Sequence, residues 1–507
     1  MDEKSTRPSI VRPSAVSVDM NSIFYRIPPR DKSQQQANYK EKFDFHTVFY
    51  DVFNSERGVE LIGPPLLNLE DIFRKGRYEV DGSRAVNFEF KDLDRTQDSY
   101  ICLPAPATSL LIKNDAVNKK VRVGEDFAEM FRGKYSLVTL SKNNPLTWIQ
   151  DWARFYISNH GINSVLIYDN DSDAYTLEEL ADALSDIKGL EQVVIVSWPY
   201  KYGPQGGTWE TQQETPWDSD FCQHGALNHA RRRFLRDAAG VINADIDELV
   251  VLENGGSVFD RLAIAGTPVL SYAGMWIESI RQQTGLEPRF IDFKYLDTRN
   301  KACTRKWTAS PAQMKEATQW KTHRIVGTES TDAVDVAHRH FKGMNSDWKY
   351  PRTTPVTFDG KYHVVDYALV NALEKSFTGL SMPTSALSSK EENSPLSPRL
   401  KAVKSELEAD NRLPNFMTKI WFWKPNCLVL DFSVLGFRFG IDVVETETSL
   451  QMKVVGRNND SKKVMAPSMG GKYQSLSSQE HWGVKSWRLD TDPLRIARDI
   501  ASFVSKG

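Results

Sequence analysis

The chain has 507 residues, enough at about 150 per domain for two to four folding units that each bury a core. Its 64 basic and 66 acidic residues leave a formal charge of -2, which excludes the chain-wide basic field of a nucleic-acid binder. Four scattered cysteines (Cys102, Cys222, Cys303, Cys427) form no CxxC pair, the longest uncharged apolar stretch (Leu262 to Ile277) is short and broken by Gly266, Pro268 and Gly274, and no secretion signal is legible, so a cytoplasmic protein is expected.

Residues 1–42 mix proline, glutamine and charge without periodicity and read as a disordered arm. Residues 43–130 carry short β-type runs (HTVFYDVF, RAVNFEF, SYICLPA) between Gly, Pro and Asp turns, which predicts a small β-rich module. From Tyr135 the rhythm changes. Apolar runs SLVTL (136–140), SVLIY (164–168), QVVIVSW (192–198) and GVINA (240–244) alternate with helical patterns, which predicts an α/β domain over 131–375 with a mainly parallel sheet.

The first helix shows Trp148, Trp152, Phe155 and Tyr156 at helical spacing before Gly161. The second has Thr176 and Glu179 in a capping-box pattern, then Leu177, Leu180, Ala183 and Leu184 as its apolar stripe. The third carries Ala226, Ala230, Phe234 and Leu235 with Arg231, Arg232 and Arg233 between them. That run would attract an anionic polysaccharide or a lipid head group at a membrane surface, but helical spacing turns the three to different sides, so a mostly solvated face is expected. Residues 376–411 have linker composition, and 412–507 read as a small α+β module ending in a helix (LRIARDIASFV). In that module Trp421, Phe422, Trp423, Phe432, Phe437 and Phe439 are expected to pack a sheet.

The strongest local signal is GVINADIDELVV (240–251), where a strand runs into Asp245, Asp247 and Glu248. Ligands of open α/β sheets bind beyond the carboxyl ends of strands, and two carboxylates one residue apart can both reach a hard divalent cation where the backbone turns. A solvated acidic turn is the plain alternative. Asp169, Asn170, Asp171 and Asp173 follow the second strand, but Ala174 and Leu180 stand where a calcium loop needs Gly and Glu. Those acids suit the N-terminus of the next helix, with Asp169 or Asp171 left as ligand-facing candidates.

The order of segments from SLVTLSKNNPLTWIQDWARFYISNHGINSVLIYDNDSD to FCQHGALNHARRRFLRDAAGVINADIDELVV resembles glycosyltransferase family 92 and its bacterial relatives. The resemblance rests on Asp151 with Trp152, Tyr168-Asp169-Asn170, Gln223 and Asn228 before Asp245 to Glu248, then Lys306, His323 and His340 downstream. It covers about Tyr135 to Tyr350. Leu249 departs from the pattern, which has an aromatic there, as do Ala309 and Ser310 before Pro311.

The resemblance implies a GT-A fold and transfer of a sugar from a nucleotide-diphosphate donor, most simply a UDP-sugar, to a glycan or glycolipid acceptor in surface polysaccharide synthesis. It implies a divalent cation, Mn2+ or Mg2+, held by Asp245, Asp247 and His340, with His338 and His323 as lesser candidates. Asp245 would also reach the ribose or donor sugar, and Lys306 the diphosphate. Thr139, Ser141, Lys142 and Asn143 would face the base and ribose, with Asp169 nearby. An inverting reaction needs a carboxylate to take the acceptor proton, and Glu278 and Asp292 are both candidates. Trp198, Trp209, Trp217, Trp276 and Trp307 fall near the expected loops, where a ring stacks on a sugar face. A sugar nucleotidyltransferase of the same fold lacks support because SKNNPLTW is not a glycine-rich basic loop. A noncatalytic glycan-binding or scaffold protein is the alternative of a different class, and the sequence sets no oligomeric state.

Overall fold

The β-branched runs become strands buried on both faces, as a parallel sheet flanked by helices requires. The computed structural model describes residues 8–85, 87–103, 106–204, 217–253, 255–281, 287–346, 354–377, 402–403 and the strand segments of 417–488. The chain divides into one unit of Met1–Leu296, Asn300–Thr357 and Asp366–Leu380, and a second of Asp297–Arg299, Phe358–Val365 and Ser381–Gly507.

In the first unit, strand β1 is Ser9–Val11, β2 Tyr135–Ser141, β3 Ser164–Asp169, β4 Gln192–Ser197 and β5 Gly240–Asn243. They lie parallel in the order β1-β4-β3-β2-β5. Four more strands follow: β6 Glu248–Leu252, β7 Val269–Ile277, β8 Cys303–Ala309 and β9 Ser330–Phe341. Strand β8 pairs antiparallel with β5 and with β7, and β9 runs parallel to β7 and antiparallel to β6. The architecture is thus mixed α/β around a large, mostly parallel sheet.

The two faces alternate along each strand with period two. Leu137, Val165, Ile167, Val193 and Ile195 pack under helices α1 (Leu146–His160) and α2 (Leu177–Ser185). Val138, Leu166, Tyr168, Val194 and Val196 pack on the other face against α3 (Phe221–His229). Trp148, Trp152, Phe155 and Tyr156 form the buried stripe of α1, and Gly161 ends that helix in the left-handed region at φ 69°. The Thr176 capping box opens α2. Helices α4 (Val258–Ala265) and α5 (Tyr367–Phe377) complete the unit, and Asn159 of α1 donates to the Ala372 carbonyl and the Ser376 hydroxyl of α5. Among the described residues no helix is long and apolar enough to cross a membrane.

The β-rich stretch forms antiparallel sheets, with Asp51–Ser55, Gly58–Gly63 and Thr96–Cys102 as successive neighbours, around Phe49, Leu61, Phe73 and Ile112. The expected disordered arm is folded from residue 8 onward. Strand β1 extends the parallel sheet, Val16 and Val18 join the β-rich core, and the buried Arg26 guanidinium donates to the carbonyls of Asp44, Thr47 and Pro65. Arg30 pairs with Asp218 at 2.8 Å. Spaced side-chain anchors leave no periodicity in sequence, which is why composition misread this segment.

The arginine run is a second correction. Helix α3 continues into a π turn, Ala230–Phe234, and its three arginines are all buried. They do point to different sides, but each side is covered. Arg231 donates to the carbonyls of Lys315, Glu316 and Thr318, Arg232 to Asp98 and Glu316, and Arg233 to Asp51 and the Glu125 carbonyl. His229 meets Asp51 as well, at 2.8 Å.

In the second unit the described residues include a six-stranded antiparallel sheet, in the order Met417–Lys424, Cys427–Val434, Phe437–Glu445, Ser449–Gly456, Gln479–Arg488, Tyr473–Leu476. The expected terminal helix, most of the 376–411 linker and Trp209 lie outside the described residues.

Candidate functional site

From β2 the chain builds β3 and β4 to one side, then crosses back to lay β5 on the other side of β2. The connections at the carboxyl ends of β2 and β5 therefore part in opposite directions and leave a crevice, the switch point where open sheets bind ligands. A cleft of about 650 Å³ opens there. Ser141 and Lys142 line it from the end of β2, Asn170 from the end of β3, and Asp245 to Glu248 from the turn after β5.

The acidic turn is braced from within. The Asp245 N–H donates to Glu248 Oε2 at 3.0 Å, and the Glu248 N–H donates back to the Asp245 carbonyl at 3.0 Å. Lys306 on β8 lies beneath with no exposure, its Nζ 2.9 Å from both Asp245 Oδ2 and Glu248 Oε2. Burial opposes the Lys306 charge, but the two carboxylates outweigh it and hold the ammonium above its ordinary range.

Antiparallel pairing of β6 with β9 sets Glu248 opposite His340 and Val250 opposite His338. His340 Nε2 is 3.0 Å from Asp247 Oδ2, and its ring stacks on Trp276 at 4.4 Å between centroids. Burial would lower the His340 pKa, but Asp247 dominates and raises it well above the usual imidazole value. His338, two residues along and fully buried, is lowered by burial to about 4 and is neutral at pH 7. His323 also lines the cleft, and burial, then Lys306, lowers it.

A carboxylate oxygen and an imidazole nitrogen meeting on the cleft are donors that Mn2+ accepts, and Mg2+ takes the carboxylate. Asp245 gives Oδ2 to Lys306 yet stays 33% exposed, so its carboxylate still faces the cleft. The residues Asp245, Asp247 and His340 therefore fit a divalent cation by donor type.

Other expected residues lie elsewhere. Lys306 braces the turn from below instead of facing the cleft. Thr139, Asn143 and Asp169 do not line it: Asp169 accepts from the Ser172 N–H and hydroxyl in a local turn, and Asn143 donates to Asp173 in the loop after β3. Glu278 and Asp292 are also off its walls. Glu278 is buried against Lys342 at 2.6 Å and Asn300 at 2.5 Å, while Asp292 accepts from the Arg289 N–H in a single 3-10 turn. Trp198 and Trp307, expected near the ligand, are fully buried, with indole N–H groups donating to the Cys222 and Lys321 carbonyls. Trp276 lines the cleft, and Trp217 lies under Arg95 at 4.7 Å.

The cleft also contains residues that the sequence did not single out. Arg95 and Asp94 come from the β-rich stretch, Asp220 and His224 from the start of α3, and Lys321 and Arg324 from the loop before β9. Arg95 pairs with Asp220 at 2.7 Å and Lys321 with Asp94 at 2.6 Å. None of them belongs to a motif by its own residue type, and each reaches the cleft only through tertiary packing.

No family model and no curated protein matches this sequence. Among solved structures, S. aureus TarS 1–349 aligns at 12% identity over 55% of this chain and 81% of that chain, with a TM-score of 0.23. The same fragment in complex with UDP-GlcNAc aligns at 11% identity over 59% and 97%, with a TM-score of 0.24, and S. aureus TarS at 11% over 74% of each chain, also at 0.24. A TM-score of this size assigns neither fold nor activity.

Proposed function

We propose that the chain is a cation-dependent glycosyltransferase of GT-A type that moves a sugar from a nucleotide-diphosphate donor to a glycan or glycolipid acceptor. The observation that carries this reading is the meeting of Asp247 with His340 at 3.0 Å, on a cleft at the switch point between β2 and β5. A bound Mn2+ or Mg2+ would neutralise the charge that develops on the leaving diphosphate. Asp247 and His340 would hold it, with Asp245 kept in place by Lys306. Ser141, Lys142 and Asn170 suit the nucleoside side, and Lys321 with Arg324 gives the opposite wall cationic groups for phosphate. Trp276 presents an aromatic surface for a sugar ring.

Inversion at the anomeric carbon is part of the proposal and requires a carboxylate to deprotonate the acceptor. Glu278 and Asp292 are candidates for that role, as is Asp220, which lines the cleft. A donor acting on surface glycan precursors would be a UDP-sugar in the cytoplasm, with the acceptor brought from a membrane or a soluble intermediate.

Calorimetry with UDP and Mn2+ tests the core of this reading. Binding should be present in the native chain and absent in Asp247→Ala, with the circular dichroism unchanged. Equal binding in both proteins would remove the cation site, and no nucleotide release from any UDP-, GDP- or dTDP-sugar would favour a binding protein.

A further inference from the structure

Behind the acidic turn lies a second set of donors, of which the glycosyltransferase reading uses only His340. Cys303 opens β8, His338 and His340 lie two residues apart on β9, and their ligand atoms all fall within 4.8 Å of one another. Glu248 adds a carboxylate oxygen: Oε1 is 3.5 Å from His338 Nε2 and 3.5 Å from His340 Nδ1. Its other oxygen, Oε2, is the one held by Lys306.

Three observations separate this cluster from ordinary core packing. His338 has no exposure, yet neither ring nitrogen has a hydrogen-bond partner among the described residues. An imidazole left so in a protein interior is costly, because burial has removed its water and nothing replaces it. The backbone also makes room for the cluster. Strand β7 shifts register between Tyr272 and Gly274, and a Cβ at Gly274 would stand 2.2 Å from His338 Nε2 and 2.9 Å from Cys303 Cβ. Finally, Glu248 stands at ligand spacing from both histidines, and the other three donors lie within 4.8 Å of one another. Bonds of about 2.0–2.3 Å at tetrahedral angles set neighbouring donors about 3.3–3.7 Å apart, the range of the two Glu248 separations.

We infer that Cys303, His338, His340 and Glu248 form a buried binding site for a borderline-soft divalent cation of the Zn2+ class. One thiolate, two imidazoles and one carboxylate are a four-donor set for tetrahedral Zn2+ and a poor one for Mg2+. Cys303, His340 and Glu248 also line the cleft, which supplies the ion's path of entry. Ligation releases the thiol proton of Cys303 and takes His340 through Nδ1, leaving Nε2–H to donate to Asp247, so that with this site filled the cleft cation would rest on Asp245 and Asp247. The site thus sets the orientation of His340 from behind. It goes beyond the proposed transfer reaction and does not depend on it.

The test uses the full chain, stripped with a chelator and titrated with Co2+ as the spectroscopic probe. One four-coordinate cobalt per chain is expected, apart from any ion in the cleft, with intense visible bands and a thiolate-to-cobalt charge-transfer band, both removed by added Zn2+. Cys303→Ser should lose the charge-transfer band, and His338→Gln should weaken cobalt binding at least about tenfold. Asp247→Ala, which removes an outer hydrogen bond to His340 and no ligand, should keep both signals at saturating cobalt. A native chain without the charge-transfer band, a band that survives in Cys303→Ser, or a band lost in Asp247→Ala would overturn the site. If Cys303→Ser does not fold, the native chain still decides: Zn2+ should protect the Cys303 peptide from alkylation, and an unchanged rate overturns the proposal. Failure of UDP to bind would leave every one of these outcomes unaffected.

Discussion

Lys306 bridges Asp245 and Glu248 at 2.9 Å each with no exposure to solvent, so its removal leaves two carboxylates facing each other in a poorly hydrated place. Lys306→Met should cost about 3–5 kcal/mol of stability, the loss typical of breaking a buried ion pair on one side, read as a lower urea midpoint. An unchanged midpoint would mean that water reaches the turn. Glu278 is a contrasting case. Its carboxylate holds Lys342, whose ammonium lies 5.8 Å from the centre of the Trp276 ring, and Trp276 in turn stacks on His340. Glu278→Gln should therefore leave UDP and Mn2+ binding intact while slowing transfer, and full transfer activity would exclude Glu278 as the base. Neither side chain was legible in this respect from the sequence. A lone lysine and a glutamate beside a tryptophan carry no local sign of burial or of a partner in another segment.

Helix α3 and its π turn show the same limit at the next scale. The apolar positions Ala226, Ala230 and Phe234 were legible by spacing, and the helix is there, but its polar positions are buried too. An all-round buried helix looks amphipathic in sequence when its charges find partners in another sheet. Here Asp51 and Asp98 of the β-rich stretch supply them. The contact is close enough to demand a glycine: a Cβ at Gly225 would lie 2.5 Å from the Tyr50 ring. Gly225→Ala should destabilise by about 1–3 kcal/mol through overpacking, seen as a lower thermal midpoint. A gain in stability, as expected for Gly→Ala in an open helix, would contradict this packing.

Across the whole first unit, buried titratable groups tie stability to pH. Burial lowers His160 to about 4 from 6.5. Between those values the unfolded chain binds the proton and the folded chain does not, so acidification removes stability through that window. For His160 the loss amounts to about 3 kcal/mol by the size of the shift. Burial alone would raise Asp51, but Arg233 and His229 outweigh it and hold the carboxyl at about 2, below 3.8. Its contribution is complete above 3.8 and disappears as the pH falls to about 2. The native chain should thus lose more stability than His160→Gln between neutral pH and about pH 4, read as the difference between their urea midpoints, in which Glu60, raised by burial to about 7 and acting the other way, cancels. A difference between the two proteins that stays constant from pH 7 to about 4 would contradict the burial of His160.

The alternation of β-branched runs with apolar stripes determined the α/β class, because those periods are local consequences of strand and helix geometry. The Thr176 capping box, the Gly161 stop and the acidic turn after β5 were equally local, and each stands where spacing put it. What the sequence could not determine was which distant segments meet that turn. Glu248 and His340 are joined by strand register, Lys306 by the antiparallel insertion of β8, and the cleft itself by the crossing of the chain from β4 back past β2. Such contacts are chosen by the global packing of the sheet, whose energy is spread over many buried side chains, and so only the tertiary structure decides them.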